Sequence, residues 1–108
     1  MENFLKTVYT LNDKTRVKML LFIFREKEVC VCDIENSFGM IQSRVSRHLK
    51  ILKEGGFLNI DRRGKWAYYT VKDELCEFRK AALAEIHRLD VELPDAIRTC
   101  NNCEVDKK

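Results

Sequence analysis

A chain of 108 residues, 45% hydrophobic and 34% charged, has room for one packed core and not two. That composition excludes a disordered tail protein, and the longest apolar run, residues 19–24, is far shorter than the ~20 residues of a membrane span. The net charge is +3, but segment 41–65 carries seven bases against two acids, a local +5 that leaves −2 elsewhere. Such segregation is the footprint expected of a polyanion-binding element, although charge alone equally suits a solvated helix face.

Phe4, Leu5, Val8 and Leu11 space as a short amphipathic helix. Asn12-Asp13 offers a cap for a second helix, whose apolar stripe is Val17, Leu20, Leu21 and Phe24. A short third helix is expected from Cys32-Asp33 to near Gly39. Ser43 is the expected cap of a fourth, buried along Val45, Leu49 and Leu52 and ended by Gly55-Gly56. Residues 57–61 and 66–71 carry the only β signal, aromatic and β-branched runs joined by Arg62-Arg63-Gly64-Lys65, hence a hairpin with a basic tip. Asp73 is the expected cap of a fifth helix bearing Leu75, Phe78, Ala82, Ile86 and Leu89, with Pro94 at or beyond its end.

The order is α-α-α-α-β-β-α, mainly α with a β-hairpin wing, which is that of a winged helix-turn-helix. Residues 1–93 are expected to form the DNA-binding and dimerisation domain, and 94–108 a polar C-terminal tail carrying Cys100 and Cys103. The amino terminus has no basic-then-apolar leader pattern, so the expected location is the cytoplasm. Five cysteines in that reducing compartment suggest reactive or metal-binding thiols rather than a disulfide scaffold.

Three stretches carry a resemblance: Cys30-Val31-Cys32-Asp33-Ile34, then 43–52 (SRVSRHLKIL), then Gly64-Lys65-Trp66. Together with Asp13-Lys14-Thr15-Arg16 they resemble the ArsR/SmtB family of arsenic-responsive repressors over roughly residues 5–90. The resemblance implies a homodimer that represses a metal- or metalloid-resistance operon and leaves operator DNA when its inducer binds. Two features depart from the arsenic-sensing pattern: Glu35 stands where a third cysteine is common, and Cys100–Cys103 lies outside the shared core.

Ser43, Arg44, Ser46, Arg47 and His48 fall on the first turns of the fourth helix, where recognition helices meet base edges, and Lys50 follows on the same helix. Arginine pairs bidentately with guanine, whereas Ser and His suit phosphate or single contacts; His48 has the alternative of packing against the second helix. Arg62, Arg63 and Lys65 at the wing tip suit phosphate or minor-groove contact.

Cys30 and Cys32 are the main candidates for an inducer site, since arsenite and antimonite are soft centres and thiolate is a soft ligand. Cysteines two apart diverge by roughly 200° in a regular helix, so they converge only where the first turn is absent or unwinds. The helix start is also expected to favour thiolate. By the resemblance a pyramidal arsenite site takes three thiolates; Glu35 is a poor substitute, and Cys100 or Cys103 could close the site or form one of their own. Cys76 and His87 lie about 16 Å apart along one helix, so only two antiparallel copies could share a zinc ion between them. Competing functions are sensing of thiol oxidation or of other soft metals (cadmium, lead, zinc) on the same fold. A Gly-rich phosphate loop, a metal-hydrolase motif and a nucleophile–base pairing are all missing from the sequence, so an enzyme is not expected.

Overall fold

The computed structural model describes residues 1–98. Five helices and three strands follow in the order α1 (Glu2–Leu11), α2 (Lys14–Glu26), β1 (Val29–Cys30), α3 (Val31–Phe38), α4 (Gln42–Glu54), β2 (Leu58–Arg63), β3 (Trp66–Val71) and α5 (Glu77–His87). The fold is a winged helix-turn-helix: α3 and α4 form the helix-turn-helix and β2–β3 the wing. Met19, Leu20, Phe22 and Ile23 of α2 are buried against Ile34 of α3, Val45, Leu49 and Leu52 of α4, and Phe57 and Leu58.

Asp13 caps α2 as its position suggested, accepting a hydrogen bond from the Arg16 backbone N–H at 3.1 Å. The wing pairs Leu58 with Val71 through to Arg63 with Trp66, leaving Gly64-Lys65 as a two-residue turn. Gly64 has φ +61°, a conformation that glycine adopts without strain. At the end of α4 the need is for space instead. A Cβ on Gly55 would lie 2.2 Å from Thr10 Oγ1, so α1 can seat on α4 only because that carbon is absent.

Several local expectations are corrected. The hairpin is not the whole sheet: Val29 and Cys30 pair antiparallel with Tyr69 and Tyr68, giving the order β1-β3-β2. Two residues are too few to show a period. The third helix begins after Cys30, not at Cys32, and Ile41 rather than Ser43 precedes α4. The fifth helix starts after Cys76, not Asp73, because the chain leaves the sheet late; Lys72 N–H still donates to Phe57 O at 2.9 Å. Its buried residues are Leu83 and Ile86, whereas Phe78 is 40% and Leu89 51% exposed.

Candidate thiol site and nucleic-acid interface

Cys30 closes β1 and stands as the N-cap of α3, while Cys32 is the second residue of that helix. The backbone changes from extended at Cys30 (φ −104°, ψ 171°) to helical immediately after it. This change of direction turns the two side chains to the same side, and their sulfurs lie 2.8 Å apart. The sulfurs converge because Cys30 precedes the helix, the first of the two conditions expected from helical spacing, and no unwinding is needed. Asp33 completes the turn, its carboxylate accepting from the Cys30 N–H at 3.2 Å.

The donor atoms of Cys30, Cys32 and Asp33 all lie within 4.8 Å of one another. Two soft sulfurs beside one hard oxygen suit a thiophilic centre better than magnesium or calcium. Cys30 is buried and packs with Tyr68, with Cys32 and Trp66 at its edge. Both sulfur-bearing residues line a cavity of about 370 Å³, shared with Glu35, Gln42, Arg62 and Lys65. The two sulfurs thus sit between the start of α4 and the wing.

Burial pushes the Cys30 thiol above its ordinary pKa, and the adjacent Asp33 carboxylate adds to this, outweighing the Asp33 N–H. The expectation of an activated thiolate at the helix start is reversed at this residue. Cys76 differs: the Arg79 backbone N–H and the Arg79 charge lower its pKa despite opposing desolvation. Within the chain Cys76 and His87 stand at opposite ends of α5. His87 Nδ1 lies 2.8 Å from Leu83 O and its ring meets Phe24 edge-on, so the chain alone does not bring the pair together. Cys100 and Cys103 lie outside the described residues.

The segment after α5 returns to this region. Arg25 Nη2 donates to Pro94 O at 2.8 Å, and Ile97 N–H to Ser37 Oγ at 2.8 Å. Arg98 Nη1 then donates to Glu28 O at 3.0 Å and to Asp33 Oδ2 at 2.7 Å. Arg98 was invisible to sequence reasoning, being one base in a stretch without periodicity.

Ser43, Arg44, Ser46, Arg47 and Lys50 are exposed on α4, and Arg62 and Lys65 are exposed on the wing. Two members of the expected set are placed otherwise. Arg63 pairs with Glu28 and with Asp61 (2.9 Å) and lies over the Tyr68 ring at 4.3 Å, tying the wing to the residue before β1. His48 is only 3% exposed, so its ring packs inward against α2 and is withdrawn from the surface a duplex would meet. Its Nδ1 lies 3.4 Å from Arg16 Nη1.

Burial lowers the His48 pKa, and the charges of Arg16, Arg47 and Arg44 add to this against the opposing Asp13. A folded pKa below the unfolded 6.5 means the unfolded chain binds the proton first, so stability falls as pH drops from about 6.5. Asp13, whose desolvation is outweighed by the Arg16 N–H and guanidinium, loses its contribution only below 3.8. The urea midpoint should fall between about pH 7 and 5 in the wild type and much less in His48→Gln. An equal slope in both proteins would assign the effect to other groups.

A short helix, a turn, an exposed basic helix and a basic hairpin are the architecture of winged helix-turn-helix DNA-binding regulators. Residues 13–59 match the family described as bacterial regulatory protein, arsR family. The arsenic resistance transcriptional regulator ArsR1 of Pseudomonas putida is 39% identical over 90 residues, covering 82% of this chain and 70% of that one. The arsenical resistance operon repressor of Escherichia coli is 32% identical over 101 residues, covering 91% and 86%. Among solved structures, HlyU from Vibrio cholerae superposes with a TM-score of 0.69 at 21% identity, covering 84% of this chain and 95% of that one. The chain belongs to the ArsR family: it is a transcriptional regulator and not an enzyme.

Proposed function

We propose that the protein is a cytoplasmic homodimeric repressor that leaves operator DNA when arsenite or antimonite binds Cys30 and Cys32. The observation that carries this reading is the convergence of two sulfurs at the β1–α3 junction, beside both DNA-facing elements. The arsenic-resistance names of its relatives point the same way. Residues 1–93 serve as the DNA-binding and dimerisation body and 94–108 as the tail that bears the second cysteine pair. Phe4, Leu5 and Val8 on α1, with Phe78 in the first turn of α5 and Leu89 just beyond its end, are 40–54% exposed, an apolar face that a second copy would cover.

A metalloid and a divalent cation differ in where the thiol protons go. Arsenous acid brings hydroxyl groups, so each S–H proton leaves with one of them as water. Cadmium, lead or zinc must instead expel protons to solvent, so their binding is pH-dependent. Titrating the reduced protein on its own promoter with arsenite, antimonite and cadmium separates these readings. Release by cadmium alone would sink the metalloid assignment. The 2.8 Å sulfur contact also suits oxidation, and a sensor of thiol oxidation would be indifferent to arsenite as a physiological signal and released instead by mild oxidant.

Ser43, Arg44, Ser46, Arg47 and Lys50 are assigned to the major groove and its flanking phosphates, and Arg62 and Lys65 to the backbone beside it. Arg44→Ala and Arg47→Ala should each cost roughly 1–3 kcal/mol of operator binding and reduce preference for operator over random DNA. Lys65→Ala should weaken both DNAs alike and lower the salt slope by about one. Competition binding at several salt concentrations reads both effects; an unchanged operator preference in Arg47→Ala would reduce that residue to a phosphate contact.

A further inference from the structure

We infer that Arg98 is a specificity-determining residue of the thiol site: by holding the Asp33 carboxylate it withholds a third ligand from divalent cations and leaves the two thiols to a metalloid. The inference rests on the reading that Cys30 and Cys32 bind the inducer. Three donors stand at the β1–α3 junction, the two sulfurs and an Asp33 oxygen, all within 4.8 Å of one another. Donors on a tetrahedral zinc ion, with bonds of about 2.0–2.3 Å, stand roughly 3.5–3.8 Å apart, so small side-chain rotations would gather the set. Zinc accepts carboxylate beside thiolate and would leave its fourth position to water. Trivalent arsenic is a soft centre and gains little from the oxygen. Access to Asp33 is therefore what separates the two kinds of ligand.

Arg98 denies that access. Asp33 is only 6% exposed, and its Oδ2 accepts from Arg98 Nη1 at 2.7 Å and from the Cys30 N–H at 3.2 Å. A cation that took this oxygen would have to displace a charge-assisted hydrogen bond, the stronger kind. The guanidinium also sets a positive charge beside the donors, which repels a dication and leaves neutral arsenous acid unaffected. The arginine is held where it stands: Nη1 also donates to Glu28 O at 3.0 Å, and Nη2 to Glu26 Oε1 at 3.3 Å. The chain leading to it is fixed as well. Leu93 and Ala96 pack against the core, Arg25 holds Pro94 O, and the Ile97 N–H donates to Ser37 Oγ. Arg98 and Asp33 are 65 positions apart, so only the fold brings them together.

Binding of zinc and of phenylarsine oxide tests this in the reduced full-length chain, with Cys100→Ser/Cys103→Ser in every protein so that the tail adds no thiol. Phenylarsine oxide is neutral and takes two thiols, forming two As–S bonds and releasing one water with no change of oxidation state. Arg98→Gln should raise zinc affinity by about tenfold or more, within the 10–100-fold range over which partners of ligating groups act, and leave phenylarsine oxide binding as it was. Arg98→Lys keeps the charge and should stay near the parent. Asp33→Asn still accepts from the Cys30 N–H, but it should remove most of the gain, since no carboxylate is left to release. Arg25→Gln frees Pro94 without touching Asp33 and should change neither affinity; a zinc gain there equal to that of Arg98→Gln would assign the effect to a loosened segment and overturn the inference. Zinc affinity unchanged or lowered in Arg98→Gln, with phenylarsine oxide still bound, overturns the role of Arg98 and leaves the Cys30–Cys32 site standing. Failure of the parent to bind phenylarsine oxide removes both.

Discussion

Cys30→Ser and Cys32→Ser should each stay folded and operator-bound while losing arsenite-driven release. Serine matches cysteine in size, and at position 30 it is a preferred N-cap, so the start of α3 keeps or gains stability. The hydroxyl is neither soft nor ionised near neutral pH, so the metalloid loses a bond it cannot replace. In the wild type, an inducer–DNA coupling of typically 1–3 kcal/mol should lower operator affinity by about 5–150-fold. In either variant that ratio should be near one. The route follows from what Cys30 joins: its backbone pairs with Tyr68 of the wing, and the next residue opens α3, which leads into α4. A bound ion that alters this junction acts on both DNA-facing elements. The measurement is release from promoter DNA against arsenite under strict reduction. Wild-type release by the Cys30→Ser/Cys32→Ser protein would place the sensor elsewhere in the chain.

Arg16→Met should destabilise the protein by about 3 kcal/mol, although Arg16 belongs to neither the thiol site nor the DNA surface. The side chain is 5% exposed and spans three helices. Its Nε donates to Thr10 O at 2.9 Å and its Nη2 to Tyr9 O at 3.1 Å, carbonyls of the last turn of α1, of which Tyr9 O also accepts from the Asn12 N–H. Nη1 lies 3.6 Å from Asp13 and 3.4 Å from His48 on α4. Methionine fills similar volume but leaves the carbonyls without this donor. Lysine should rescue only in part, since a single ammonium cannot copy a planar fork. Urea unfolding of the three proteins decides it; a loss under about 1 kcal/mol in Arg16→Met would mean that water replaces the guanidinium.

The elements were legible where a pattern repeats. Val45, Leu49 and Leu52 mark the buried face of α4 because a helix returns to that face every three or four residues. The wing showed itself through two β-rich runs around a glycine turn. What stayed hidden depends on contacts across the chain. Nothing local says that Val29 and Cys30 will join a sheet some forty residues away, or that His48 will turn inward to Arg16. Charge marked Arg63 for DNA, but its partner Glu28 is 35 positions distant. The thiol pair was legible as chemistry, whereas its geometry required knowing that the helix begins between the two sulfurs.

The contact between Gly55 and Thr10 bears on the distance between two DNA half-sites. Thr10 is fully buried, and its hydroxyl occupies the space a Gly55 side chain would need. The end of α4 is thereby gauged against α1 through one short, fully buried side chain. In a dimer built on α1, this contact would help to set each recognition helix's distance from the two-fold axis. Enlarging residue 55 would push that helix outward on both sides at once, so a change of one methyl group would be read by the duplex as a change in spacing rather than as a lost contact.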